Sequence, residues 1–428
     1  MSFNIAQANN LSSHINLPVE KYKLKNGLTV LLNPDKKLNT ASYILGFKVG
    51  SRHERKGITG ISHMFEHLMF KGTKKYPNFD QIFSENGVVS VNAFTSRDYT
   101  AYVGTFPPDK LELILDVESD RMTQLTFTQE ELNKERGAVQ EERLMRIDNS
   151  PTGVLFENLF DQLFEKHPYR WPIIGYSEDI AKYSLEDLNK WYKTYYSPNN
   201  AVLVISGKFS AKKAKTLINK YFGNLKTKQI PTEINIKEPK QIKARSREIS
   251  KKVQSSMATF SYLGPPLGTK EFYALEFISQ ILGTGESSVF YKKFVRQKKL
   301  LSSIYLGVID LYHYGVFYIF YPLLDISKEE IIKKSILEEL NKGIDLNLNK
   351  KSIEKVKNIY MNDMIYSLKR SRSRARDLFG YEISFNDYKK MYEKLDIIKD
   401  LSPEFIKRVG EKYLTPQKSN YIILKTKI

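Results

Sequence analysis

Residues 57–73, with the sequence GITGISHMFEHLMFKGT, contain the first pattern along the chain that predicts a firm helix. Apolar residues recur there at the spacing of an α-helix, and Gly72 is a typical C-terminal stop. The apolar positions are Ile61, Met64, Phe65, Leu68 and Met69. The sequence therefore predicts a helix from about Gly57 to Lys71.

Two of the six histidines lie on this helix, in the segment His63-Met-Phe-Glu66-His67. Positions i and i+4 project from one face of a helix about one turn apart, so both imidazoles can reach one cation, with Glu66 on the same side. This arrangement suits zinc. The alternative is a pair of surface histidines with a glutamate in a salt bridge.

A zinc hydrolase needs three protein ligands, so a third donor must come from elsewhere in the chain. Thr128 with Glu131 has the form of a capping box and predicts a polar helix to about Ile147. On this helix Glu135 and Glu142 are two turns apart on one face, whereas Glu141 points about 100° away from Glu142. Spacing alone leaves Glu135 and Glu142 both open as the third ligand.

Strand and helix patterns extend on both sides of this region. Val88 to Thr105 alternates like a strand pair, and residues 226–252 are rich in Lys, Arg and Pro, as in a linker. The second part again mixes strands with helices such as Phe272 to Leu282. We predict an α+β fold of two related halves, each a mostly antiparallel sheet with helices packed on it. The predicted divisions are an N-terminal domain 1–228, a linker 229–250 and a C-terminal domain 251–428.

The composition excludes several classes of protein. The chain of 428 residues has no cysteine, so a metal must be held by histidine and carboxylate. No apolar run is long enough for a membrane span. The net charge of +19 would suit a nucleic-acid partner, but the lysines are scattered as on a solvated surface. Ala6-Gln7-Ala8 has the pattern of a signal-peptidase site, so we expect a periplasmic location if it is a remnant of one and a cytoplasmic location otherwise.

Several motifs together resemble the pitrilysin/insulinase family of metallopeptidases, in particular its short bacterial two-domain members related to mitochondrial processing peptidase. In that family His63-x-x-Glu66-His67 is the inverted zinc motif. The other matching segments are Gly57-Ile-Thr-Gly60, Phe70-Lys-Gly-Thr73, Asn92-Ala-Phe-Thr-Ser-Arg-Asp-Tyr-Thr100, Glu135-Arg-Gly-Ala-Val-Gln-Glu-Glu142, His167-Pro-Tyr to Gly175, and Tyr196-Ser-Pro-Asn-Asn-Ala201. The resemblance is close across residues 20 to 225, and it implies a metallopeptidase half-chamber.

The resemblance also implies a role for each site residue. His63, His67 and Glu142 match the ligands of one zinc ion, and Glu66 matches the base that takes a proton from the attacking water. Glu135 matches a carboxylate of the catalytic apparatus that orients the site. Asn92, Ala93 and Phe94 match the edge strand on which family members bind an extended peptide.

The second half departs from the family pattern at one position. Family members have an arginine followed seven residues later by a tyrosine, a pair that binds substrate and stabilises the oxyanion. This chain has Arg296 but Ser303, and Tyr305 stands two residues late. Either Tyr305 substitutes for the missing tyrosine or Arg296 is only a surface cation.

The resemblance therefore implies a zinc endopeptidase acting on peptides or unfolded segments. A two-domain chain is expected to pair with a second chain of the same fold. The missing tyrosine favours a heterodimer with a subunit that bears the Arg and Tyr pair, and a homodimer is the alternative. A non-catalytic scaffold of the same fold is a rival interpretation that the intact zinc motif argues against, and a nucleic-acid binder is supported only by the charge.

Overall fold

The computed structural model describes residues 17–233 and 236–427. The tripeptide Ala6-Gln7-Ala8 lies outside these residues. The strands are β1 (Glu20–Lys23), β2 (Thr29–Pro34), β3 (Ala41–Phe47), β4 (Val89–Thr95), β5 (Thr100–Phe106), β6 (Ala201–Gly207), β7 (Arg245–Lys251), β8 (Met257–Gly264), β9 (Tyr305–Asp310), β10 (Gly315–Pro322) and β11 (Asn420–Thr426).

The helices alternate with these strands along the chain. They are α1 (Ile61–Leu68), α2 (Phe79–Glu85), α3 (Leu111–Gln124), α4 (Gln129–Arg143), α5 (Pro151–Leu163), α6 (Ser177–Ile180), α7 (Leu185–Tyr195), α8 (Ala211–Phe222), α9 (Lys270–Gly283), α10 (Glu329–Asn347), α11 (Lys350–Ser367), α12 (Ser371–Phe385), α13 (Lys390–Lys399) and α14 (Pro403–Tyr413). The segments Leu144–Asp148 and Tyr291–Gln297 are π-helical.

The chain forms two compact units, each assembled from three segments. The first contains the segments up to residue 141, 171–235 and 363–393, and the second contains 142–170, 236–362 and 394 onward. Helix α5 thus belongs to the second unit, where it contacts β8 and β11, and α12 belongs to the first, where it contacts β3 and β6. The compact units are therefore not contiguous in sequence, unlike the predicted ranges 1–228 and 251–428.

Apart from the additional edge strand β1 of the first sheet, the two sheets have the same strand order. The first sheet is β1-β2-β6-β3-β5-β4 and the second is β7-β11-β8-β10-β9. In each sheet one pair is parallel, β2 with β6 and β7 with β11, and the remaining pairs are antiparallel. The strands β2, β6, β3, β5 and β4 thus correspond to β7, β11, β8, β10 and β9. This repeat confirms the predicted α+β fold of two related halves, mostly antiparallel.

The core of the second unit is a cluster in which α9 packs between the sheet and neighbouring helices. Its buried side chains include Phe260, Phe277, Ile278 and Phe317. In the first unit the corresponding cluster beneath the sheet includes Ile44, Val204 and residues of α12 such as Phe379. Because apolar burial stabilises both clusters, each sheet is a rigid base for the helices that carry polar side chains.

Part of the segment predicted as a linker is a strand. Residues Arg245–Lys251 form β7, which pairs in parallel with β11 along its whole length. Four of its seven residues are charged, and it lies at the edge of the sheet with half-buried and exposed positions alternating. An edge strand buries only one face, so it can contain many charged residues. The sequence of β7 therefore lacks the apolar pattern from which a strand is normally predicted.

The sequence patterns also missed helices in the C-terminal region. No element was predicted between Arg370 and Asn420, where the structure has α12, α13 and α14. The start of α12 is Ser-Arg-Ser-Arg, which lacks a clear apolar stripe. The helix is buried because it packs against β3 and β6, which are distant from it in the sequence. The local sequence therefore does not predict this helix. Within the described residues, none of the helices combines the length and apolar character needed to cross a bilayer.

Candidate metal centre

Helix α1 is held in place by its apolar face. Phe65 is fully buried, and its ring lies 4.4 Å from that of Tyr196 and 5.3 Å from that of Tyr192, measured between centroids. On the other face the rings of His63 and His67 are 4.7 Å apart. His63 is only 9% exposed. The packing of one helix face therefore fixes where the two imidazoles point.

Helix α4 supplies the carboxylates. Its predicted capping box is present, because the Glu131 carboxylate accepts from the Thr128 backbone N–H at 2.6 Å and the Thr128 hydroxyl accepts from the Glu131 N–H at 3.2 Å. Glu135 is buried, Glu142 is half-buried and Glu141 is exposed. Helical phase thus separates Glu141 from the other two, as the sequence predicted.

His63, His67 and Glu142 bring one ligand atom each to within 4.8 Å of one another. Across residues 17–233 and 236–427, no other group of three histidine or carboxylate donors is this compact. Glu142 follows directly on the part of α4 that belongs to the first unit, within one continuous helix. Two imidazoles and one carboxylate are the donor set of a catalytic zinc site, so these residues fit the metal that the sequence predicted.

The Glu135 carboxylate contacts the Nδ1 atom of the His67 ring. The Nδ1 atom of His67 is 3.3 Å from Oε2 of Glu135, and the Lys71 ammonium forms an ion pair with the same carboxylate. The hydrogen bond with His67, followed by that with Lys71, lowers the pKa of Glu135 to about 2. An ionised carboxylate can only accept, so the proton of His67 must be on Nδ1. In this tautomer Nε2 carries the lone pair that can bind a metal.

Glu66 is held by a residue to which the sequence analysis gave no role. The Thr95 hydroxyl donates to Oε2 of Glu66 at 2.6 Å. Thr95 is the last residue of β4, and its hydroxyl oxygen accepts a hydrogen bond from the Thr100 hydroxyl at 3.4 Å. The hydrogen bond from Thr95 fixes the orientation of the Glu66 carboxylate.

Asn92, Ala93 and Phe94 lie on β4, which is the edge of the first sheet and pairs with β5 on one side. Asn92 is exposed, Ala93 is buried and Phe94 is half-buried. The register against β5 shifts between Val89 and Asn92. The predicted substrate residues therefore lie on an edge strand, which presents unpaired backbone groups.

Arg296 and Tyr305 belong to the second unit. The Arg296 guanidinium forms an ion pair with Glu286 and lies 5.8 Å from the ring centroid of Tyr291. Tyr305 is the first residue of β9, the edge strand of the second sheet, and is 58% exposed. Neither belongs to the group formed by His63, His67 and Glu142.

Glu54 is a buried carboxylate that the sequence analysis missed. It is 4% exposed, and its oxygens accept from the backbone N–H groups of Gly60 at 2.6 Å and Ser62 at 2.9 Å. Burial raises the pKa of Glu54 to about 8, although these two hydrogen bonds act in the opposite direction. It stands in a loop with no periodicity, so no sequence pattern marks it.

Comparison with known proteins places this geometry in a family. The model of insulinase (peptidase family M16) matches residues 29–176, and that of the peptidase M16 inactive domain matches residues 182–360. The zinc protease PqqE of Helicobacter pylori is 34% identical over 416 residues, which are 95% of this chain and 92% of that protein. The chain belongs to the insulinase family, peptidase family M16.

Further comparisons agree with this membership. A crystal structure of a protease from Helicobacter pylori matches with a TM-score of 0.89 at 32% identity, covering 96% of this chain and 100% of that one. The probable mitochondrial-processing peptidase subunit beta of Schizosaccharomyces pombe is 29% identical over 227 residues, which are 53% of this chain and 49% of that protein. The two-domain type predicted from the sequence motifs is therefore confirmed.

Proposed function

We propose that this protein is a zinc-dependent endopeptidase that hydrolyses peptides or unfolded segments. The observation that carries the proposal is the convergence of His63, His67 and Glu142 within 4.8 Å, with Glu66 on the same helix as the two histidines. The similarity to a protein named as a zinc protease supports it. His63, His67 and Glu142 would hold one zinc ion, which when bound acts as a Lewis acid and lowers the pKa of water.

Glu66 is the general base in this proposal. Its carboxylate accepts the proton of the attacking water and can later deliver that proton to the leaving amine. The hydrogen bond from Thr95 holds one oxygen and orients the carboxylate. Glu135 and Lys71 keep His67 in the tautomer whose Nε2 lone pair can bind the metal.

In this proposal, the edge strand β4 is the binding site of the substrate. An extended peptide can add to an exposed sheet edge through main-chain hydrogen bonds, which gives affinity with little dependence on sequence. The residues concerned are Asn92, Ala93 and Phe94. Thr95 ends the same strand and touches Glu66, so a peptide bound along β4 would run toward the general base.

The rival proposal is a non-catalytic scaffold of the same fold, and one variant separates the two. Glu66→Gln keeps the three proposed ligands, so zinc content should stay at one ion per chain while peptide hydrolysis falls by about 100-fold or more. His67→Ala should lose both. Metal analysis and hydrolysis of an unstructured peptide measure the two effects. Full hydrolysis by Glu66→Gln would overturn the mechanism, and a wild-type protein that binds zinc without hydrolysis, with or without a partner chain, would favour the scaffold.

We further propose that a second chain of the same fold completes the active enzyme. The relative in Schizosaccharomyces pombe is named as a subunit, which supports pairing. The absence of a tyrosine at position 303 favours a partner that bears the Arg and Tyr pair. The purified chain should then be weakly active alone. High activity that is unchanged in Arg296→Ala would overturn this, and high activity that collapses in Arg296→Ala or Tyr305→Phe would favour a homodimer.

A further inference from the structure

We propose that Glu54 is a positioning residue that fixes helix α1 and, through it, the two histidines that face the metal position. This inference rests on the proposed zinc function. Glu54 is seven residues before the helix begins, and its hydrogen bonds with the Gly60 and Ser62 N–H groups involve neither histidine. Its effect on the site must therefore pass through the backbone of α1.

The helix cannot cap its own N-terminus. The residue before Ile61 is Gly60, which has no side chain and adopts φ +83°, whereas most helices begin with a Ser, Thr, Asp or Asn whose oxygen accepts from the first turn. Glu54 supplies that acceptor from a distance, with one oxygen on the Gly60 N–H and the other on the Ser62 N–H.

Gly60 is required at this position by the surrounding backbone. A Cβ there would stand 2.3 Å from the carbonyl oxygen of Ile174, and a Cβ on Gly175 would stand 2.3 Å from that of Thr59. The two backbones approach each other so closely that a residue with its own capping side chain would not fit. The backbone N–H groups at the N-terminus of α1 therefore need an acceptor from a residue that is more distant in the sequence.

The loop that leads into α1 is fixed by a second set of contacts. Oδ2 of Asp179 accepts from the Gly57 N–H at 3.2 Å, the Thr59 N–H at 3.1 Å and the Thr59 hydroxyl at 2.6 Å. The Tyr183 hydroxyl donates to the Thr59 carbonyl. These contacts hold the loop, whereas Glu54 reaches into the first turn of the helix through the Ser62 N–H. His63 is the next residue after Ser62, so a shift of that turn moves a ligand.

The decisive measurements are amide hydrogen exchange of the metal-free protein and zinc affinity by competition with a chelator. In Glu54→Gln, one oxygen is replaced by an NH₂ group that cannot accept, and exchange of the amides in Ile61–Leu68 should quicken by at least about tenfold. Zinc affinity should fall by about 10- to 100-fold, the range typical for outer residues of a metal site. The Co²⁺-substituted protein should show an altered d–d spectrum.

Two controls separate positioning from loss of stability. Glu382→Gln changes another buried carboxylate of the first unit that accepts a backbone N–H, from Tyr388 at 3.1 Å. Thr269→Ala removes the cap of α9, the helix of the second half that corresponds to α1. Both should leave zinc affinity and the exchange of α1 unchanged. A Glu54→Gln protein that binds zinc as tightly as the wild type, with α1 equally protected, would overturn the inference.

The exchange experiment also distinguishes this inference from the proposed function. If the wild-type protein bound no zinc, the proposed function would fail, while faster exchange confined to α1 in Glu54→Gln would still support the role of Glu54 in holding the helix. If zinc bound and peptides were hydrolysed at the wild-type rate by Glu54→Gln, the function would stand and the positioning role would fail.

Discussion

Helices α1 and α9 occupy the same place in the two halves, after the strands β3 and β8 of sheets that share one strand order. Helix α1 presents His63, Glu66 and His67, whereas α9 contains no histidine and is buried along most of its length. The helix that corresponds to α4 is α11, where the buried residues are apolar. Within the described residues, the same fold therefore carries the candidate metal donors on the helices of one half, because the side chains and not the topology supply the chemistry.

The two helices also begin differently. Helix α9 is capped by its own Thr269, whose side chain accepts from the Phe272 N–H at 3.2 Å. Helix α1 begins at Gly60 and depends on Glu54, six residues earlier in the chain than its N-cap. A local cap can be found in the sequence, and a remote one cannot. The half with the candidate site is thus also the half whose first helix is held by tertiary contacts.

The largest expected effect concerns the third ligand. Glu142→Gln should lower zinc affinity by more than about 100-fold, beyond the effect typical of an outer residue such as Glu135. Glu141→Gln should change it by less than about twofold, because Glu141 is exposed. Glu276→Gln, on α9 of the second half, should have no effect. Isothermal titration with zinc checks all three, and retention of zinc by Glu142→Gln would refute the ligand assignment.

The next effect tests the start of α1. Gly60→Ala should destabilise the fold by several kcal/mol, on the order expected for severe backbone strain and overpacking, because its Cβ would meet the Ile174 carbonyl and its φ is positive. Gly380→Ala, in α12 where a Cβ meets nothing within 4 Å, should instead stabilise by about 0.5 to 1 kcal/mol. Chemical denaturation measures both. Equal stability of the two variants would contradict the close approach at Gly60.

A smaller effect follows from the raised pKa of Glu54. Its ordinary value is 4.5 and its folded value is about 8, so the folded state keeps a proton that the unfolded state releases. The free energy of unfolding of the metal-free protein should therefore fall as the pH rises from about 5 to about 8, by roughly 3 to 4 kcal/mol. Burial also raises the pKa of Glu276, so the second half contributes with the same sign.

Two variants apportion this pH dependence between the halves. Glu54→Gln should remove most of the slope, and Glu276→Gln should remove a further part. Urea unfolding in the presence of a chelator, repeated at several pH values, gives the slopes. A Glu54→Gln protein with the full wild-type slope would mean that Glu54 is ionised in the folded state at neutral pH.

The smallest expected effect concerns the hydroxyl that holds Glu66. Thr95→Val removes a hydrogen bond to a charged group, and turnover should fall by about 10- to 100-fold with zinc content unchanged. Thr95→Ser keeps the hydroxyl and should restore most of the rate. Steady-state hydrolysis separates the effect on kcat from that on KM. If Thr95→Val and Thr95→Ser lost the same activity, the methyl group and not the hydroxyl would be the important part of Thr95.

The sequence patterns predicted much of the first half and less of the second. Helix α1, the strands β4 and β5 and the capping box at Thr128 were all found, because each has a local period or cap. Strand β7 and helix α12 were missed, because their burial comes from partners far away in the chain. Glu54 and Thr95 were missed as supporting residues for the same reason.

The sequence by itself determined the chemistry that is available. The spacing of His63 and His67 puts two imidazoles on one helix face, and helical phase puts Glu142 with Glu135 and turns Glu141 away, since both follow from a rise and rotation that every α-helix shares. Only the tertiary structure decided that α4 lies where Glu142 meets both histidines, that Thr95 reaches Glu66, and that a buried Glu54 closes the end of α1. Such contacts join residues whose distance in space is set by packing and not by their separation along the chain.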